Sequence, residues 1–75
     1  MAKLKLKLSA RQLVARNLKQ LRENKEMSQF SLSKLAHISQ TYISQVESAN
    51  RNISLDALEQ LAIALDVDVV RLLEK

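Results

Sequence analysis

Gln40, Thr41, Ser44 and Gln45 fall in one short stretch, and each carries a neutral hydrogen-bonding group. Ile43 and Val46, in the same stretch, mark the opposite, apolar phase of a helix. Carboxamides and hydroxyls are poor acid–base groups, but they are suited to recognition. A glutamine amide can pair bidentately with adenine, and threonine can offer its hydroxyl to a base edge or its methyl to thymine. These four residues are candidates for base contact. An ordinary solvated helix face has the same composition, so the choice depends on the frame around them.

A second group could hold phosphate. Ser28 and Gln29 open the preceding segment, where free backbone amides and the helix dipole favour an anion. The same pair also makes a plain helix cap. Tyr42 can donate its hydroxyl to a phosphate or sit half-buried in the core, and the sequence leaves both open. Asn50, Arg51 and Asn52 form a polar loop placed for backbone contact, or for simple solvation. Arg16, Lys19 and Lys34 can add long-range attraction. Phe30 is expected on the surface, where it could pack under an N-terminal arm.

No catalytic site is expected. The sequence offers no nucleophile–base pair, paired carboxylates or phosphate-binding loop, so it is not read as an enzyme. There is no cysteine, and the single histidine, His37, cannot build a metal centre alone. No cofactor or metal is expected. The absence of cysteine suits a cytoplasmic protein. No apolar run approaches the roughly 20 residues of a membrane span, and the N-terminus lacks the apolar stretch of a secretory signal.

These candidates must be positioned by the rest of a 75-residue chain, which allows one domain. The sequence is 47% hydrophobic and has no glycine or proline, which favours an all-α fold over hairpin-linked strands. Residues 1–8 alternate Lys3, Lys5, Lys7 with Leu4, Leu6, Leu8, a period of two. This segment reads as a basic arm on phosphates or in a minor groove, as an edge strand pairing with a second subunit, or as a frayed end. The domain proper spans 9–75. Ser9 caps a helix reaching about Asn24, with Val14, Leu18 and Leu21 inward and Arg11, Arg16, Lys19, Arg22 and Lys25 over the remainder. Ser28 caps the next helix, with Leu32, Leu35 and Ala36 as its buried side. Ser39 begins a third helix with Tyr42, Ile43 and Val46. Ser54 caps a fourth, with the stripe Leu55, Leu58, Leu61, Ala62 and Leu65, ended by Asp66. Residues 67–73 make a short last helix. The expectation is five helices.

The second and third helices form a helix-turn-helix over Gln29–Ser48. That arrangement needs an apolar inward residue (Leu32), a small one where the helices approach (Ser33), and a small helix end (Ala36). The turn needs a residue that tolerates positive φ, and histidine is among those enriched there (His37). Ile38 then plugs the core, and Ile43 and Val46 bury the second helix. From Val14 to Leu73 the chain resembles the Cro/phage-repressor type, or XRE family, through "MSQ", "ISQTYISQVE", "NRNISLDALEQLAIAL" and the "DV" that follows. It departs from the family at Glu26, His37, Ala49 and Asp66, where glycine is common, and at Ile53, where proline is frequent. With "TYIS" and "RNIS" it is similar to restriction–modification controller proteins, and to phage and plasmid repressors as well.

The resemblance implies a five-helix, lambda-repressor-like domain whose recognition helix runs from Ser39 to Val46. It also implies base reading at the positions of Gln40, Thr41 and Gln45, and a Gln29 that contacts phosphate and braces a recognition-helix side chain. The last segment is too apolar for its length. Val67, Val69, Val70, Leu72 and Leu73 are candidates for a two-fold interface, or for a closing helix that packs only on its own chain. A homodimer would set two recognition helices about 34 Å apart on a near-palindromic double-stranded DNA site. Charge fits this picture: residues 1–51 carry ten of the 12 Lys/Arg but three of the 8 Asp/Glu. The implied function is a sequence-specific transcriptional regulator, whose protein partners would be a second copy and RNA polymerase. An antitoxin or adaptor with secondary DNA binding, partnered by a toxin, is the competing class.

Overall fold

The computed structural model describes residues 8–75. The expected basic arm at 1–8 lies, but for Leu8, outside the described residues. Four α-helices follow: α1 (Ala10–Asn24), α2 (Gln29–Ala36), α3 (Gln40–Glu47) and α4 (Leu55–Leu65). A short 3-10 helix, Val69–Leu73, ends the chain. The expected fifth helix is therefore a 3-10 turn that leaves Val67 outside it, and the described residues contain no strand.

Serine starts every α-helix. Ser9, Ser28, Ser39 and Ser54 each accept a hydrogen bond from the backbone N–H three residues on, at 2.9–3.1 Å. Each such cap is worth about 1 kcal/mol. At α1 the cap is reciprocal, because Gln12 Oε1 accepts from the Ser9 N–H at 3.0 Å.

The helix ends also share one solution. Glu26, His37, Ala49 and Asp66 all have φ between 57° and 61°. After each, the next N–H reaches back five residues: Met27 to Arg22, Ile38 to Ser33, Asn50 to Gln45 and Val67 to Ala62. This is the Schellman closure, which usually uses glycine at the left-handed position. The four family-glycine positions thus keep the left-handed turn with other residues in place. Met27, Ile38 and Val67 then pack half-buried against the core, which fixes where the chain goes next.

α1 lies against α3 and the 3-10 helix, α2 against α3 and α4, and α4 against the 3-10 helix. Leu18, Leu32, Ile43, Leu61, Leu65 and Leu72 are fully buried between them. Two expected core residues are not there. Leu35 is 58% exposed, because α2 is only two turns long and buries the single row Leu32–Ala36. Leu55 is 79% exposed, because it opens α4 before that helix reaches the core.

Candidate DNA-contacting surface

His37 (φ 57°, ψ 40°) turns the chain between α2 and α3, and Ile38 anchors the turn. Ile43 and Val46 are buried, which fixes the rotation of α3 about its axis. That rotation turns Gln40, Thr41 and Ser44 to the surface, with Gln45 half-buried beside them. Together with Gln29, these four residues line one open, polar concavity. The sequence candidates for base contact are therefore neighbours on one face.

Behind this face lies a buried charge network built on Arg22, a residue that the periodic reading placed among the cations outside the apolar phase. Arg22 is buried and forms a two-pronged pair with Glu47, Nε to Oε2 at 2.7 Å and Nη2 to Oε1 at 2.9 Å. Its Nη1 donates to the Met27 carbonyl at 2.8 Å. Hydrogen bonding to Glu47 raises the Arg22 pKa further above its already high value, against the opposing effect of burial. Gln29 Nε2 joins the network, donating to Glu47 Oε1 at 3.0 Å. The brace from Gln29 to α3 thus ends on Glu47, at the helix C-terminus. The network locks α1, the start of α2 and the end of α3 to one another. The signal for it was phase: Arg22 stands four residues after Leu18 and Glu47 four after Ile43, both in register with core positions.

The remaining phosphate candidates surround the concavity. Ser28 caps α2, so the N–H of Ser31 is satisfied by its hydroxyl. The N–H groups of Gln29 and Phe30 precede the helical ladder and have no acceptor within it. Tyr42 is half-buried; its hydroxyl oxygen accepts from the Ser54 N–H at 3.3 Å, which leaves the O–H hydrogen able to donate. The Arg51 guanidinium lies over the Tyr42 ring, 4.5 Å from its centre, and donates to Gln45 Oε1 at 2.7 Å. Asn50 is exposed. Asn52 accepts a hydrogen bond from Arg11, tying the loop to α1. Lys34 sits over Phe30, which is 55% exposed. Packing of Phe30 under residues 1–7 falls outside the described residues.

Arg16 does not stand free in the way its sequence position suggested. It donates to Asn17 Oδ1 and to the Glu74 carbonyl. Asn17, missed by the sequence reading, is buried and donates to the carbonyls of Leu72 at 3.1 Å and Glu74 at 2.7 Å. An asparagine in phase with Val14, Leu18 and Leu21 was the available signal. This clamp holds the C-terminal segment on α1. Of the interface candidates, Leu72 is fully buried in its own chain and cannot face a partner. Val67 and Val69 are half-buried against the same core. Val70 (57%) and Leu73 (44%) are exposed, as are Leu55 and Ile63 on α4. Leu55 and Leu73 line one apolar groove with Ile53. No helix among the described residues is long and apolar enough to cross a membrane.

The model of the helix-turn-helix family HTH_3 matches residues 18–72. Control protein C.SmaI of Serratia marcescens is 32% identical over 68 residues, covering 91% of this chain and 81% of that protein. The crystal structure of a hypothetical transcription factor from Neisseria superposes with a TM-score of 0.87 at 35% identity, over 99% of this chain and 85% of the other. That of the restriction–modification controller protein C.AhdI from Aeromonas hydrophila gives 0.80 at 34% identity, over 83% and 94%.

Proposed function

Because this chain belongs to the XRE-type helix-turn-helix family of DNA-binding regulators, we propose that it is a homodimeric transcription regulator reading a near-palindromic operator in the major groove. The observation that carries this reading is the concavity of Gln29, Gln40, Thr41, Ser44 and Gln45 on the outer face of α3. Such a helix enters the groove with its N-terminal residues at base edges. Phosphate contacts from the α2 N-terminus, Tyr42, Asn50 and Asn52 set its register, and the α3 side chains supply sequence preference. The relatives named as control proteins support the narrower role of a restriction–modification controller. An operator-bound dimer of this kind works in the bacterial cytoplasm, by admitting or excluding RNA polymerase.

Dimerisation rests on the apolar residues that the monomer leaves in water. Val70 and Leu73 on the C-terminal segment, with Leu55 and Ile63 on α4, form the proposed contact, and Val67 and Val69 lie at its margin. The acidic C-terminal third then lies away from DNA. Selection of bound sequences from a random DNA pool tests the whole reading. Two inverted half-sites with centres about 10–11 base pairs apart are expected. Failure to enrich any sequence, or a single isolated half-site, would overturn it.

A further inference from the structure

We infer that Arg51 is a positioning residue for base recognition: it orients the Gln45 carboxamide so that Gln45 meets the base edge as a hydrogen-bond donor. The inference rests on the reading of α3 as the base-contacting helix, and it adds a specificity role for a residue beyond that helix.

The geometry begins at the end of α3. Ala49 turns the chain at φ 61°, and the Asn50 N–H bonds back to the Gln45 carbonyl at 2.9 Å. This closure brings the next residue, Arg51, beside the Gln45 side chain. Arg51 is held there twice, by the 2.7 Å bond from Nη1 to Gln45 Oε1 and by stacking on Tyr42. Tyr42 is itself fixed, half-buried and bonded through its hydroxyl to the start of α4. The guanidinium is therefore set in a defined place between a ring and an amide.

Arginine has only donors, so the atom of Gln45 that faces it must be the amide oxygen. The carboxamide is planar, and fixing Oε1 directs Nε2 and its two hydrogens away from Arg51. A free glutamine can present either end of its amide to a base. A held one presents the nitrogen, which suits purine N7, guanine O6 or thymine O4 and opposes the amino group of cytosine. Holding the side chain in place before binding also removes part of its ordering cost, a factor of a few to about ten in affinity. Arg51 thus sharpens the preference at one operator position without touching that base.

The competing role for Arg51 is a phosphate contact, which depends on charge alone. Arg51→Lys separates the two, since lysine keeps the charge but lacks the planar group that stacks and donates in this geometry. Arg51 is exposed, so neither this variant nor Arg51→Ala removes a core contact. The test is random-pool selection with the full chain, followed by binding to the selected site and its single-base variants at several salt concentrations. Gln45→Ala first identifies the operator position that Gln45 reads. Arg51→Lys is expected to lose roughly tenfold of the discrimination against cytosine at that same position, with an unchanged salt slope. The double variant Gln45→Ala/Arg51→Ala should discriminate there no worse than Gln45→Ala. If both Arg51 variants keep the base preference and only weaken binding to every sequence, Arg51 is a phosphate contact and the inference is wrong. If the wild-type chain selects a site that is insensitive to Gln45→Ala, this inference fails while the regulator reading stands. If the wild type selects no sequence, both fail.

Discussion

Ala49→Gly should make the protein more stable, although a glycine is being added next to a helix. Ala49 sits at φ 61°, in the left-handed region, and its N–H and that of Asn50 close the end of α3. An alanine there carries a steric cost of about 1–2 kcal/mol from its Cβ. Glycine removes that cost but loses about 0.4–1 kcal/mol through the greater freedom of its unfolded chain. The expected net gain is about 0.5–1 kcal/mol. For a domain of this size, that raises the melting temperature by roughly 2–8 °C. The control is Gln20→Gly, at an exposed position inside α1, which should lose about 1 kcal/mol by helix propensity. Thermal and urea unfolding at one fixed protein concentration would measure both, because self-association of the kind proposed makes a melting point depend on concentration. If Ala49→Gly lowers stability as Gln20→Gly does, the left-handed closure is not the geometry the chain adopts.

Four further outcomes are expected. Glu47→Ala should cost about 3–5 kcal/mol in urea unfolding, because it leaves Arg22 buried and unpaired; the apolar pair Arg22→Met/Glu47→Leu should recover most of that loss. Asn17→Ala should cost about 1–3 kcal/mol, because it leaves the Leu72 carbonyl without its side-chain donor and the Glu74 carbonyl with Arg16 alone, and should speed amide exchange in residues 69–74; exchange unchanged in that segment would remove the clamp. Gln40→Ala should weaken operator binding while binding to unrelated DNA persists, so equal losses on all sequences would remove its base-reading role. Operator affinity should fall steeply with salt, the log–log slope measuring the phosphates neutralised at about 0.9 each; a flat response would contradict phosphate contact.

Local chemistry was legible in the sequence. Serines capped where the apolar phase began, and His37 took the positive φ that the turn demanded. The outward face of α3 followed from two residues, since burying Ile43 and Val46 leaves the helix no other rotation. What escaped depended on partners distant in the chain. Arg22 looked like one more surface cation until Glu47, 25 residues later, supplied its counter-charge. Asn17 carries no signal beyond its phase with Val14, Leu18 and Leu21 until the C-terminal carbonyls accept its hydrogens. Gln45 looked free, because its constraint comes from a loop that closes back on it. Periodicity reports which side of a helix is apolar; it does not report that a polar residue on that side has a partner.

The same distinction reshapes the dimer argument. The apolar excess in 67–73 fits either a segment that faces a partner or one that packs only on its own chain. The Asn17 clamp instead pins the segment to α1, and Leu72 is consumed by the chain's own core. The clamp therefore does two things at once: it closes the monomer and turns Val70 and Leu73 outward. The excess that matters for association is then smaller in this segment, but it is supplemented by Leu55 and Ile63 on α4. Dimerisation should consequently depend on α4 as well as on the terminus. Leu55→Lys or Ile63→Lys, at positions where the monomer loses no packing, should shift the protein to monomer in sedimentation and lower operator affinity, with its helical circular dichroism kept. A dimer undisturbed by both changes would return the interface to the 3-10 segment alone.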